Sequence, residues 1–145
     1  MAKKILLVED EAKNRLLITD ILKYHGYEVL EAQDGPKGLN LAKEQKPDLI
    51  LLDIMMPGMD GLEVCRLLRE DAATATIPVV MVTALYEEKV IAGAIERGAD
   101  GYIVKPIDPD GLKETILHNL SLAQNGLLPS QLKYELKKLR QKTGQ

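Results

Sequence analysis

The chain has 145 residues, 46% hydrophobic and 28% charged, which suits one soluble globular domain with a substantial core. No apolar stretch approaches the roughly 18 residues a membrane helix needs, the apolar run after Met-Ala-Lys-Lys is too short for a signal peptide, and the lone Cys65 gives no disulfide framework or thiolate metal centre. The net charge of −3 divides unevenly: residues 126–145 carry five basic and one acidic side chain, leaving 14 basic and 21 acidic in the first 125, an acidic body ill suited to gripping nucleic acid.

Ile5-Leu6-Leu7-Val8 reads as a strand buried on both faces, running into Glu9-Asp10-Glu11. A helical stripe of Leu17, Ile18, Ile21 and Leu22 follows and stops at Gly26. Tyr27 to Ala32, interrupted by Glu28 and Glu31, suits a strand at a sheet edge, and residues 35–45 make a second helix. The apolar run Leu49 to Leu52 ends in Asp53, after which Pro57, Gly58 and Gly61 turn the chain. A third helix spans about 60–70, with Asp60 and Glu63 as favourable charges at its start and Cys65 a small buried hydrophobe. Ile77 to Val82 is the fourth strand, closed by Thr83, and a helix over about 86–97 ends at Gly98. Gly101 to Val104 is the fifth strand, closed by Lys105-Pro106, and a fifth helix begins near Pro109. Gln124-Asn125-Gly126 breaks that helix, and Pro129 opens a sixth with Leu128, Leu132, Leu136 and Leu139 on one stripe. We expect the stripe to dock on the domain or on a second copy, with the tail lysines forming a solvated face. Five strands alternating with five helices predict a doubly wound α/β domain over residues 1–123, its parallel sheet covered on both faces, and a helical or linker extension over 124–145.

In an open parallel sheet, ligands bind beyond the C-terminal strand ends. Asp10, Asp53, Thr83 and Lys105 follow strands one, three, four and five, so four polar groups converge on one rim. A carboxylate against a core is costly unless it is paired or holds a metal. Two carboxylates and a carbonyl suit Mg²⁺, and a lysine with a threonine hydroxyl suits phosphoryl oxygens. There is no Gly-rich phosphate loop, so nucleotide binding is not indicated. Reading Asp53 as a mere helix cap would leave Asp10 and Lys105 as coincidences.

Val8-Glu9-Asp10, the Asp53 strand with Met56-Pro57-Gly58-Met59-Asp60-Gly61, Thr83-Ala84, and Tyr102 three residues before Lys105-Pro106 together resemble a response-regulator receiver domain, over residues 3 to about 123. The resemblance implies a flavodoxin-like fold with strand order 2-1-3-4-5. It implies that Asp53 accepts a phosphoryl group from a phosphohistidine on a sensor kinase or a phosphotransfer protein. Glu9, Asp10, Asp53 and the Met55 carbonyl would hold Mg²⁺, Thr83 and Lys105 would bind the phosphoryl oxygens, and Tyr102 would follow Thr83 as a rotamer switch. The Lys105-Pro106 peptide would be cis. A downstream protein would read the face made by helix four, strand five and helix five, with self-phosphorylation and self-dephosphorylation the only catalysis, in the cytoplasm.

Two other functions stay open on the residues. A hydrolase of the haloacid-dehalogenase type would want a second Asp two residues after the first, where Met55 stands. A phosphorylation-independent adaptor would not need the intact set of Asp10, Asp53, Thr83 and Lys105. The winged-helix subgroup of the family differs at its dimer face, where Gly101 and Thr115 stand for the usual Asp and Arg. A stand-alone regulator acting by protein contact is therefore expected over a receiver cut from a longer protein, with a homodimer through the tail as an alternative. Met55 and Leu85, both apolar, favour slow self-hydrolysis.

Overall fold

The computed structural model describes residues 2–142. The chain alternates β1 (Lys4–Val8), α1 (Ala12–Tyr24), β2 (Glu28–Ala32), α2 (Gly35–Gln45), β3 (Leu49–Leu52), α3 (Gly61–Glu70), β4 (Val79–Thr83), α4 (Glu88–Glu96), β5 (Gly101–Val104) and α5 (Pro109–Gln124), then adds α6 (Pro129–Lys142). All pairings are parallel and the sheet order is β2-β1-β3-β4-β5, the flavodoxin-like arrangement. The three central strands explain the order. β1, β3 and β4 are aliphatic on both faces and almost wholly buried, whereas β2 carries exposed Glu28 and Glu31 and takes one edge.

Two aliphatic layers flank the sheet. Leu6, Val8, Ile50, Leu52 and Met81 face α2, α3 and α4 through Ala42, Val64, Leu68 and Ala94. Ile5, Leu7, Leu49, Leu51 and Val80 face α1 and α5 through Ile18, Leu22, Leu112 and Ile116. The alternation of strand side chains between these layers follows from the two-residue period of a strand. It leaves the strand ends free to carry polar groups. Among the described residues, no helix is long and apolar enough to cross a membrane.

Helix starts are fixed locally. Asp34, Asp60 and Asp108 accept from the backbone N–H groups of Lys37, Glu63 and Gly111 at 2.9, 3.0 and 3.3 Å. Gly61 is required sterically, since a Cβ there would lie 2.2 Å from the Asp53 carbonyl oxygen. That close approach folds the loop after β3 back against the strand end and holds the Asp53 backbone in place.

Two sequence expectations are revised. The fourth strand starts at Val79, because Pro78 lacks an N–H and Arg69 takes the Ile77 carbonyl at 2.6 Å. Of the tail's four stripe leucines, Leu128 docks on this chain and the other three do not, which leaves the second copy as the remaining expectation for them. Leu128 is fully buried, but Leu132, Leu136 and Leu139 are 53%, 48% and 58% exposed. The reason is a polar anchor: Ser130 gives its N–H and hydroxyl to the Asp100 carboxylate at 2.9 Å each, which turns the Lys133–Lys137 side of α6 toward the domain.

Candidate functional site

The rim at the C-terminal strand ends gathers the polar residues marked in the sequence. Glu9 and Asp10 follow β1, Asp53 follows β3, Thr83 closes β4, and Lys105 follows β5. Neighbouring strands in the order β1-β3-β4-β5 bring these ends side by side. The Lys105 ammonium donates to Glu9 Oε1 at 2.7 Å and to Asp53 Oδ2 at 3.1 Å. The Met55 N–H holds Asp53 Oδ1 at 3.1 Å, fixing the rotation of that carboxylate. One carboxylate oxygen from each of Glu9, Asp10 and Asp53 lies within 4.8 Å of the other two. Glu9 and Asp53 are buried, while Asp10 faces solvent.

Charge at this rim is unbalanced. Three carboxylates meet one ammonium, since the Arg15 guanidinium goes instead to the backbone carbonyls of Glu9 and Asp10, at 2.9 and 3.3 Å. Burial pushes the Glu9 carboxyl up to about 7; Lys105 pulls it back and Asp53 adds to the rise. Burial alone would lower the Lys105 ammonium, but the Glu9 and Asp53 oxygens outweigh it and hold the lysine above its usual value. The rise at Lys105 and the Asp53 contribution at Glu9 both reflect an excess of negative charge in the cluster. A second cation would complete it. The donor set is all oxygen, compact and open on the Asp10 side, which fits a hard divalent ion that keeps several waters.

A second chain of contacts leads away from the rim. Thr83 is fully buried and its Oγ1 accepts from the Leu85 N–H at 3.3 Å. The Leu85 carbonyl accepts from the Tyr102 hydroxyl, and the Tyr102 ring packs against the α2–α4 side of the core. Burial raises the Tyr102 phenol, with Asp53 and Glu87 adding to the effect. Thr83, Leu85 and Tyr102 thus link the end of β4 to β5. The Lys105–Pro106 peptide is cis, at the point where the chain leaves β5.

A family model for the response regulator receiver domain matches residues 5–117. The chain belongs to the response regulator receiver family. Among its relatives, the protein PilH of Pseudomonas aeruginosa is 40% identical over 113 residues, covering 78% of this chain and 93% of PilH. The phosphate regulon transcriptional regulatory protein PhoB of Klebsiella pneumoniae is 46% identical over 112 residues, 77% of this chain. The chain spans about half the length of PhoB, 49%, and a similar share, 48%, of the DNA-binding response regulator MtrA.

Solved receiver structures agree with the fold. The chemotaxis protein CheY4 of Vibrio cholerae superposes with a TM-score of 0.79 at 30% identity, covering 82% of this chain and 99% of that one. The receiver domain of the sensor histidine kinase PA1611 from Pseudomonas aeruginosa has a TM-score of 0.78 at 27% identity, over 83% and 99% of the two chains, and holds a magnesium ion in its active-site cleft. Receiver domains of this family are signalling domains that bind Mg²⁺ at an acidic site and engage kinases or phosphotransfer proteins and downstream targets.

The sequence did not single out the ion pair at the opposite end of the sheet. Asp100, before β5, has a fully buried carboxylate bonded to Arg69 at 2.8 Å. The available signal was Asp100 preceding a strand, matched by Arg69 at the end of a helix, but those residues are far apart in the chain and neither stands in a motif.

Proposed function

We propose that Asp53 is a phosphoacceptor and that its phosphorylation switches a protein-interaction surface. The observation that carries this reading is the charge imbalance at the rim, three carboxylates and one lysine brought together from three strand ends. In the proposed reaction an Asp53 carboxylate oxygen attacks the phosphorus of a phosphohistidine on a partner. An O–P bond forms as the P–N bond breaks, and the imidazole leaves. The protein has little covalent work to do beyond aligning these atoms and neutralising the phosphoryl oxygens.

Glu9, Asp10, Asp53 and the Met55 carbonyl would hold Mg²⁺, which when bound supplies positive charge to the phosphoryl oxygens. Lys105, already 3.1 Å from Asp53, supplies the second positive centre. The Met55 N–H keeps the nucleophile oriented. Thr83 Oγ1 accepts from Leu85, so its own proton is available for a phosphoryl oxygen. Drawing Thr83 toward the phosphoryl group moves the Leu85 backbone, and with it the Tyr102 hydroxyl bonded to the Leu85 carbonyl. The face of α4, β5 and α5 then changes and a protein partner reads it. The site is expected to work in the cytoplasm, where its kinases act. Apolar Met55 and Leu85 border Asp53 and Thr83, which disfavours the water that would hydrolyse the acyl phosphate.

The test is intact-mass spectrometry after treatment with acetyl phosphate and Mg²⁺. The wild type gains one phosphoryl group; Asp53→Asn, or the wild type in EDTA, gains none. Equal labelling of the Asn variant overturns the assignment.

A further inference from the structure

A cleft of about 540 Å³ lies between α6 and the ends of α3 and α4, far from the acidic rim. It falls within the range of roughly 300–1,000 Å³ typical of small-molecule sites. Five cations line it from three helices and their ends: Arg66 and Arg69 from α3, Arg97 after α4, Lys133 and Lys137 from α6. Two carboxylates, Glu70 and Glu96, stand among them, and Glu70 is already engaged by Arg66 at 2.7 Å. Arg69 is committed to Asp100. Among the described residues, Lys133 and Lys137 make no ion pair, although the first 125 residues carry 21 acidic side chains against 14 basic. They stand one helical turn apart, so both ammoniums reach the same cleft. Half-buried Tyr134 gives the wall an aromatic surface, with the Lys138 ammonium 5.4 Å from its ring centroid.

We propose that this cleft binds a nucleoside diphosphate, its phosphates between Lys133, Lys137 and Arg97 and its base against Tyr134. Unpaired ammoniums select phosphate oxygens. An aromatic face adds stacking that is independent of base identity. Glu96 can accept a hydrogen bond from a sugar hydroxyl. Concavity and size favour a small ligand over an acidic protein surface, which would meet cations on a convex face. Such a ligand would tie α6 to the end of α4, the helix that follows the Thr83 loop. The proposal does not depend on phosphorylation of Asp53.

The test is a fluorescence titration of the full chain with N-methylanthraniloyl-ADP in EDTA, so that metal binding at the rim takes no part. Saturable binding displaced by unlabelled ADP is expected. Lys133→Ala/Lys137→Ala, at exposed positions, should weaken it roughly tenfold or more, and Tyr134→Leu should weaken ADP but not pyrophosphate. Asp53→Asn should bind as the wild type does. Absence of saturable binding, or unchanged affinity in a folded double-lysine variant, overturns the site. Pyrophosphate competing as well as ADP, with Tyr134→Leu unchanged, overturns the nucleotide.

Discussion

The two ends of the sheet hold buried carboxylates in opposite ways. At the base, Asp100 accepts four hydrogen bonds, from Arg69, the Val79 N–H, and the Ser130 N–H and hydroxyl. Arg69 is held in turn, with three further N–H groups on the carbonyls of Gly98, Ala75 and Ile77. One negative charge meets one positive charge, so the pair itself is neutral. At the rim, Lys105 bonds Glu9 and Asp53 while Asp10 adds a third carboxylate beside them, and the surplus is negative. The same residue chemistry therefore builds a clasp at one end and a reactive site at the other. What separates them is the count of partners.

The largest effect expected from this contrast is on stability. Asp100→Ala leaves the Arg69 guanidinium buried without its partner and should lower the unfolding free energy by about 3–5 kcal/mol. Asp53→Asn removes one of three crowded carboxylates, so in EDTA it should raise the urea midpoint. A rim variant as damaging as the base variant would erase the distinction.

Next comes pH. Burial pushes the Glu9 carboxyl up to about 7 in the folded protein, above the ordinary carboxylate value it has when unfolded. The folded state therefore holds this proton over the interval between the two. Stability tied to the group is present at low pH and is lost as pH rises toward 7, on the order of 2 kcal/mol once solvent screening is allowed for. Urea melts in EDTA between about pH 5 and 8 should show this decline, and Glu9→Gln should flatten it. Magnesium should also flatten it in the wild type, by favouring the ionised carboxylate.

A smaller effect is expected from magnesium itself. A ligand at about ten times its Kd adds about 1.4 kcal/mol to stability. Wild type and Asp100→Asn should both gain this increment, whereas Asp10→Asn and Asp53→Asn should lose it at the same concentration. The smallest change is at the clasp's outer bond. Ser130→Ala removes one of the four donors to Asp100 and should cost about 1 kcal/mol, seen as faster amide hydrogen exchange in α6 alone. Exchange that quickens across the whole sheet would show that α6 is integral to the domain.

These two regions also explain what the sequence disclosed. The sheet was legible because each central strand is a continuous aliphatic run that ends at a turn or a charge, so Leu49–Leu52 announced both β3 and the exit at Asp53. The rim was legible for the same reason: its residues sit at fixed offsets from strand ends. The clasp was not, because Arg69 reaches Asp100 across 31 positions and the pairing exists only once α3 packs beside β4. Nor was the orientation of α6 legible. Its leucine stripe carries the stronger periodic signal, yet the buried Asp100–Ser130 contact and Leu128 fix which side faces the domain. Periodicity identifies the apolar side of a helix, whereas tertiary hydrogen bonds decide what that side meets.

The most direct test of the rim's role is to map the modified atom. The protein is treated with acetyl phosphate and Mg²⁺, reduced with borohydride to convert any aspartyl phosphate to homoserine, digested, and sequenced by tandem mass spectrometry. The account predicts homoserine at residue 53 and an unchanged aspartate at residue 10. Homoserine at residue 10, or none at residue 53, would contradict it.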